Sequence, residues 1–496
     1  MQRLVNEAVA KDAIEVEVGL RVCGSCGKRW FLPKCSCGGF TRPRMKPMRQ
    51  AIPLRDVLDA AMARVGMKTL PEVKGVTGMI SRSKTPEPLE KGLLRAKHDL
   101  RVFKDGTTRF DMTNLVLTHF RPDEVGLSVE AARKLGYERD TRGAPLEDPT
   151  QLVELRPQDI VIPEVAGDFL TKVAQFADEL LGKVYGLPPF YDVKGRDGIV
   201  GQLVLTLAPH TSGGVLGRVI GFTKARAWFN HPYMVAARRR NADGDEDSVL
   251  LLLDALLNFS RSFLPEKRGG LMDAPLVLTT RIDPNEIDKE AHNMDLMSRY
   301  PLEFYRATER FAHPKEVEPL MDLVSKRIGS VLQYEGFGFT HRVESVDAGP
   351  LTSAYVKGSM AEKMQAQLSL ALKIRAVDAT DVVSRIVVHH FLPDLIGNLK
   401  SFSLQKFRCT KCGAIYRRVP LKGKCTAVAS GRECGGNLTL TVHESSVKKY
   451  LEITKQITSE YPVSNYLHQR IALIEEAITS LFTNEKAQDL KLDDFL

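Results

Sequence analysis

Eight cysteines, gathered into two short clusters with none elsewhere in 496 residues, constrain this chain more than any other feature. The first cluster is Cys23-Gly-Ser-Cys26-Gly followed by Cys35-Ser-Cys37-Gly-Gly; the second is Cys409-Thr-Lys-Cys412-Gly followed by Cys425 and Cys434-Gly-Gly. A Cys-x-x-Cys-Gly turn aims two thiolates at one point, and its glycine lets backbone amides approach the sulfurs. Two such pairs make the tetrahedral four-sulfur site that zinc prefers. The spacing predicts two structural zinc modules, although the single residue between Cys35 and Cys37 makes the poorer knuckle. Four thiolates leave no open position for a substrate, so neither site is read as catalytic. Disulfides and iron–sulfur clusters are the competing uses. Thiolates alone do not exclude iron, and a cytoplasmic setting argues against disulfides.

That setting is the expectation from the rest of the chain. Hydrophobic residues make up 43% and charged residues 26%, the balance of a soluble globular protein rather than a disordered one. No apolar run approaches the ~18 residues that cross a bilayer; the richest, 249–257, is broken by Asp254. The N-terminus lacks the apolar core of a secretory signal. We therefore expect a soluble, cytoplasmic protein without membrane contact. Lys and Arg total 70 against 61 acids, a net charge of +9. This modest surplus favours a polyanion over a cationic partner, since phosphate neutralisation drives non-specific nucleic-acid binding.

Periodicity and punctuation predict an α+β, β-rich chain. A zinc module and basic linker span 1–48, the stretch TRPRMKPMRQ at 41–50 being read as the linker. Helices are expected at 3–12, 53–65, 128–135 (capped by Ser128, with Gly136 after it) and 168–181, ended by Gly182. Lys104-Asp105-Gly106-Thr107 reads as a hairpin turn, with strands near 199–207, 215–222 and 275–280. Residues 248–263 read as a strongly apolar helix, 315–333 as another, and 359–375 as one opened by a Ser359/Glu362 capping box. The second zinc module covers 405–442, and a helical stretch, 447–483, precedes a polar tail.

The most informative stretch is Arg238-Arg239-Arg240-Asn241-Ala242-Asp243-Gly244-Asp245-Glu246-Asp247. Acids at alternate positions on an extended loop share one side. Their hard oxygens suit Mg²⁺, and Gly244 permits a tight turn around the ion. The three arginines could hold phosphates against that ion, as phosphoryl or nucleotidyl transfer requires. The plainer alternative is a solvated helix start, with Asp247 as N-cap. A calcium loop from Asp243 fails because Ser248 and Asp254 stand where glycine and glutamate are needed. No P-loop, dinucleotide fingerprint, nucleophile elbow or His-Glu-x-x-His motif occurs.

Together with this loop, the runs LAPHTSGGVLGR (207–218), LPEKRGGLMDAPL (264–276), AHNMD (291–295) and YPLEFY (300–305) closely resemble the large subunit of the archaeal family-D DNA polymerase. The resemblance covers essentially the whole chain, as the carboxyl-terminal, catalytic half of that longer subunit. It implies a core of two double-psi β-barrels, one in the region 49–184 and one within 185–404, the latter bearing the acidic loop. It implies Asp243 and Asp245 as catalytic ligands of two Mg²⁺ ions, with Asn241 beside them and Asp247 as a possible third ligand. Arg239, Arg240 and Lys74, in VKGVTG (73–78), are implied as charge stabilisers; Thr77 stands where the family tends to have a second lysine. The implied activity is DNA-templated DNA polymerisation in genome replication, on primer–template DNA and deoxynucleoside triphosphates, at the nucleoid. The helical region 443–483 would dock a small subunit that carries the proofreading exonuclease. In the tail, 484–496, Leu492, Phe495 and Leu496 resemble a sliding-clamp-binding peptide. Two other readings compete: a non-catalytic scaffold binding DNA and clamp, and an RNA polymerase-like nucleotidyltransferase.

Overall fold

Strand pairing between segments far apart in sequence organises the larger part of this chain. The structure is a computed structural model and describes residues 1–30, 34–76, 87–241, 243–264, 268–340, 345–348, 358–374, 377–429 and 432–483. It divides into two compact units, Met1–Ser353 and Ala354–Leu496. No helix of the described residues is long and apolar enough to cross a membrane.

The first unit opens with helix α1 (Gln2–Ala10) and the strands β1 (Ile14–Cys23), β2 (Arg29–Trp30) and β3 (Thr41–Ile52), ordered β2-β1-β3. The expected basic linker at 41–50 is thus a strand, a correction with a clear cause. Among the described residues strand β3 pairs only with β1, so Pro43 and Pro47 lie on an edge strand, where a missing N–H is tolerated. Helices α2 (Leu54–Val65) and α3 (Leu89–Lys97) follow, and α2 ends at Gly66 as its periodicity predicts.

Next come β4 (Phe110–Val116), the short pair β5 (His119–Phe120) and β6 (Val153–Glu154), and β7 (Asp159–Pro163). Helix α4 (Val129–Lys134) lies between them and is capped as expected, Ser128 Oγ accepting from Ala131 N at 3.1 Å. Helix α5 (Glu164–Leu180) begins earlier than expected and continues through a wide turn to Gly186, not Gly182. Strands β8 (Leu203–Leu207), β9 (Gly213–Thr223) and β10 (Ala227–Asn230), helix α6 (Pro232–Ala237), β11 (Glu246–Leu251), helix α7 (Leu252–Asn258) and β12 (Val277–Thr279) complete the core. The pairing runs β9-β7-β10-β4-β11-β8, and β8 pairs again with β9, which closes a ring of six strands; β12 adds to β9. The β7–β9 and β10–β4 pairs are parallel and the rest of the ring is antiparallel. Parallel neighbours require long crossovers, and here α4, α5 and their loops supply them.

The segments 49–184 and 185–404, expected to form separate barrels, therefore share one closed sheet among the described residues. Strands β4 and β7 come from the first segment, β8 to β11 from the second. The apolar run at 248–263 is mostly strand and short helix rather than one helix: successive residues Val249, Leu250 and Leu251 of β11 are all buried, and a strand covered on both faces reads as a continuous apolar run. Residues 315–333 form short separate turns, Pro314–Val317, Glu318–Leu320, Val324–Arg327 and Val331–Tyr334, because Pro319 and Gly329 interrupt them. Lys104–Gly106 is a turn, with Phe103 N bonded to Thr107 O at 2.8 Å, but no strand pair flanks it.

The second unit packs helices Met360–Lys373, Ala379–Ile386, Leu392–Leu404, Leu451–Glu460 and Asn465–Phe482 around a core containing Leu368, Val383, Leu395, Ile457, Ile471 and Ile478. The first helix carries the expected capping box: Ser359 N donates to Glu362 Oε2 at 2.6 Å and Glu362 N to Ser359 Oγ at 3.2 Å. Between the third and fourth lies a small sheet of Phe407–Cys409, Ile415–Tyr416 and Leu438–Thr439.

Candidate active site and metal centres

Both cysteine clusters converge. The ligand atoms of Cys23, Cys26, Cys35 and Cys37 lie within 4.8 Å of one another, as do those of Cys409, Cys412, Cys425 and Cys434. Sulfur pairs stand 3.6 Å (Cys23–Cys37) and 3.7 Å (Cys26–Cys35) apart in the first cluster, and 3.8 Å (Cys409–Cys434) and 3.4 Å (Cys412–Cys425) in the second. A tetrahedron with metal–sulfur bonds of about 2.3 Å has edges near ~3.8 Å, so both sets fit one zinc-sized ion, and none of these pairs is a disulfide. Amide N–H groups of Cys412 and Lys411 point at Cys409 Sγ and lower its pKa to about 6, favouring the thiolate a metal needs. A side chain at position 436 would press its Cβ to 2.7 Å from Cys409 Sγ, so this knuckle requires Gly436.

The acidic loop connects α6 to β11. His231 starts α6, its Nδ1 accepting from Tyr233 N at 3.1 Å, and the helix ends at Arg238. Arg239 then takes a left-handed conformation (φ 61°) and Gly244 another (φ 88°), which turns the chain back into the sheet. Asp245 O accepts from Asn114 N at 2.8 Å, tying the loop to the far part of β4.

The three aspartates occupy different environments. Asp243 is exposed, as are Asn241 and Arg239, and Asp243 has no ion pair among the described residues. Asp245 is partly exposed and pairs with Arg240, Nη1 to Oδ2 at 2.9 Å. Asp247 is 1% exposed. Its Oδ2 accepts from Arg238 Nε and from Asn114 Nδ2, both at 3.0 Å, and its Oδ1 accepts from Arg240 Nε at 3.1 Å. Arg238 is equally buried, donates Nη2 to Asn230 Oδ1 at 3.0 Å, and lies over the Trp228 ring at 4.6 Å.

Asp247 is therefore a strand residue whose oxygens are already taken by two guanidinium groups, not a helix N-cap and not an open ligand beside Asp243. Arg238 is likewise sealed from any phosphate. Asn114, Asn230 and Trp228 were not recognisable from sequence as partners of the loop; no local pattern marks residues that meet it only through sheet pairing. Breaking a buried ion pair by deleting one partner typically costs about 3–5 kcal/mol, because the other charge is stranded. Asp247→Ala should destabilise the first unit by about that amount, as read from denaturant unfolding. A change below ~1 kcal/mol would show the pair to be dispensable.

Lys74 stands in the segment between α2 and α3. Its Nζ pairs with Asp99 at 2.8 Å and holds that carboxyl below its usual range. Its carbonyl accepts from Arg95, which also donates to Gly106 O, just ahead of β4. The described contacts thus do not bring Lys74 to the loop. Thr77 and the tail residues Leu492, Phe495 and Leu496 lie outside the described residues.

With this geometry in place, comparison with known proteins is decisive about family. Residues 66–363 match the family model described as DNA polymerase II large subunit DP2, catalytic domain, and residues 1–56 match that of its central domain. The DNA polymerase II large subunit of Methanocella arvoryzae is 53% identical over 97% of this chain and 44% of its own length. The corresponding proteins of Methanosarcina barkeri and Methanothermobacter thermautotrophicus are 52% and 51% identical, over 97% and 100% of this chain and 44% and 45% of theirs. The chain spans less than half the length of these relatives. It belongs to the DNA polymerase II large-subunit family, and residues 66–363 correspond to that family's catalytic domain.

Proposed function

We propose that this chain carries the nucleotidyl-transfer centre of a DNA-templated DNA polymerase, and that Asp243 and Asp245 hold its Mg²⁺ ions. The observation that carries the reading is the acidic loop itself: a turn bearing an exposed and a partly exposed carboxylate, fastened to the end of a closed sheet in the matched catalytic domain. The donors fit a divalent cation, being hard carboxylate oxygens around a Gly244 turn, with Oδ2 of Asp245 paired to Arg240. When bound, Mg²⁺ would supply Lewis acidity, lowering the pKa of a primer 3′-hydroxyl and neutralising charge on the triphosphate.

The chain's own residues frame that chemistry. Asp247, locked between Arg238 and Arg240, holds the loop against β4 without contacting substrate. Arg239, exposed and without an ion pair among the described residues, is available to a phosphate oxygen, and Asn241 stands beside it. Lys74, whose Nζ pairs with Asp99, is read as a further charge stabiliser. We read the six-stranded ring as a double-psi barrel, the cysteine clusters as zinc sites, and the helices of 443–483 as the docking region for a proofreading small subunit. The tail at 489–496 is read as a clamp-binding peptide, and the assembly as acting at the nucleoid. Template pairing chooses the base, so the protein should grip backbone.

Primer extension by the full assembly containing this chain tests the proposal. Template-directed incorporation of deoxynucleotides, with ribonucleotides rejected, is the expected result. Ribonucleotide incorporation would favour the RNA polymerase-like reading, and DNA binding without incorporation would leave a scaffold.

A further inference from the structure

Resting on that reading of the acidic loop, we infer that Arg240 is an exchangeable counter-ion: it competes with a divalent cation for Asp245, and the guanidinium arm left behind is directed to a phosphate oxygen of the incoming triphosphate. The geometry of its three nitrogens points there. Nε donates to Asp247 Oδ1 at 3.1 Å and Nη2 to Glu246 O at 3.1 Å, so two arms are fastened to the start of β11. Only Nη1 reaches into the loop, to Asp245 Oδ2 at 2.9 Å. The anchor side is sealed, the Asp247 side chain being 0% exposed, whereas that of Asp245 is 36% exposed. One arm of the fork thus faces a solvated carboxylate and the other two face the fold.

This asymmetry determines what can move. Two anchors fix the guanidinium plane, so exchange occurs when Asp245 turns about its own side-chain torsions. A divalent ion and an arginine nitrogen repel one another and cannot share Oδ2 at close range. The ion pair they contest is partly exposed, and such pairs are weak, so a doubly charged competitor displaces it readily. After exchange Nη1 still points into the loop, with a donor geometry suited to phosphate. Arg238 cannot act this way, because its partners are buried on both sides.

Mn²⁺ binding to the full chain, followed by electron paramagnetic resonance, tests the inference without recourse to catalysis. Removing the competitor in Arg240→Met, or in Arg240→Gln, which keeps a donor for Asp247, should tighten Mn²⁺ binding roughly fivefold, the loss of one exposed ion pair. Arg240→Lys, which keeps the charge, should stay near the unmodified chain. In the assembled polymerase the same Met and Gln variants should show a raised KM for deoxynucleotide, opposite in sense to their tighter metal binding. Unchanged or weaker Mn²⁺ binding by natively melting Met and Gln variants would overturn the inference and show Arg240 to be a brace. If Mn²⁺ binding by the unmodified chain is instead insensitive to Asp243→Asn and Asp245→Asn, the underlying assignment of the loop fails.

Discussion

Replacing Asp243 or Asp245 by asparagine should reduce deoxynucleotide incorporation by about 10³-fold or more, while primer–template affinity stays within about twofold. The magnitude follows from the several kcal/mol of transition-state charge stabilisation that a bound metal contributes, each ~1.4 kcal/mol being tenfold in rate. Binding should hardly change, because DNA affinity comes from cations meeting phosphate along the whole duplex and not from two carboxylates. Stability should hardly change either: Asp243 is exposed without an ion pair among the described residues, and Asp245 has only a partly exposed one. These variants therefore separate from Asp247→Ala, which should unfold more easily. Single-turnover incorporation and fluorescence anisotropy with a labelled primer–template make the comparison. Retention of near-normal incorporation by the double variant would remove these residues from the centre.

What could be read from the sequence was whatever is local. Ser128 and the Ser359/Glu362 pair cap helices because their partners lie three residues away. The cysteine clusters were legible because ligand chemistry imposes spacing, and the Cys23/Cys26, Cys35/Cys37 and Cys409/Cys412 pairs each close within three residues. The acidic loop was legible as a composition but not as an arrangement. Its pattern shows three aspartates at alternate positions, yet Asp247 is withdrawn into the fold by Asn114, 133 residues away, and by Arg238. Sheet pairing decided that, through the register Asp247↔Met112 and Glu246↔Thr113. The same non-local pairing turned a proline-marked linker into β3 and the start of an apparent helix into β11. Apolar runs and prolines carry no information about which strand lies alongside, and a closed ring joining residues 110–163 to 203–251 is invisible to any window of sequence.

Removing metal from the second cysteine cluster should unfold residues 405–442. The strands there span two or three residues each, and among the described residues the fully buried side chains of this stretch are Cys409 and Cys425 themselves. Among the described residues such a module has no apolar core to hold it, so its folding free energy is essentially that of the metal, about 10–16 kcal/mol for a structural zinc site near neutral pH. The first cluster is different. There β1 and β3 pair from Ile14↔Ile52 to Cys23↔Thr41, and this ladder can persist when the sulfurs at its end lose their ion. Elemental analysis should find two zinc ions per chain, and one in the Cys409→Ser/Cys412→Ser variant. Limited proteolysis of that variant should cut within 405–442, while the paired strands 14–23 and 41–52 of the same chain stay protected. Protection of 405–442 after metal removal would mean that packing, not coordination, holds the module. Visible absorbance from bound iron would replace zinc with an iron–sulfur centre on the same four thiolates.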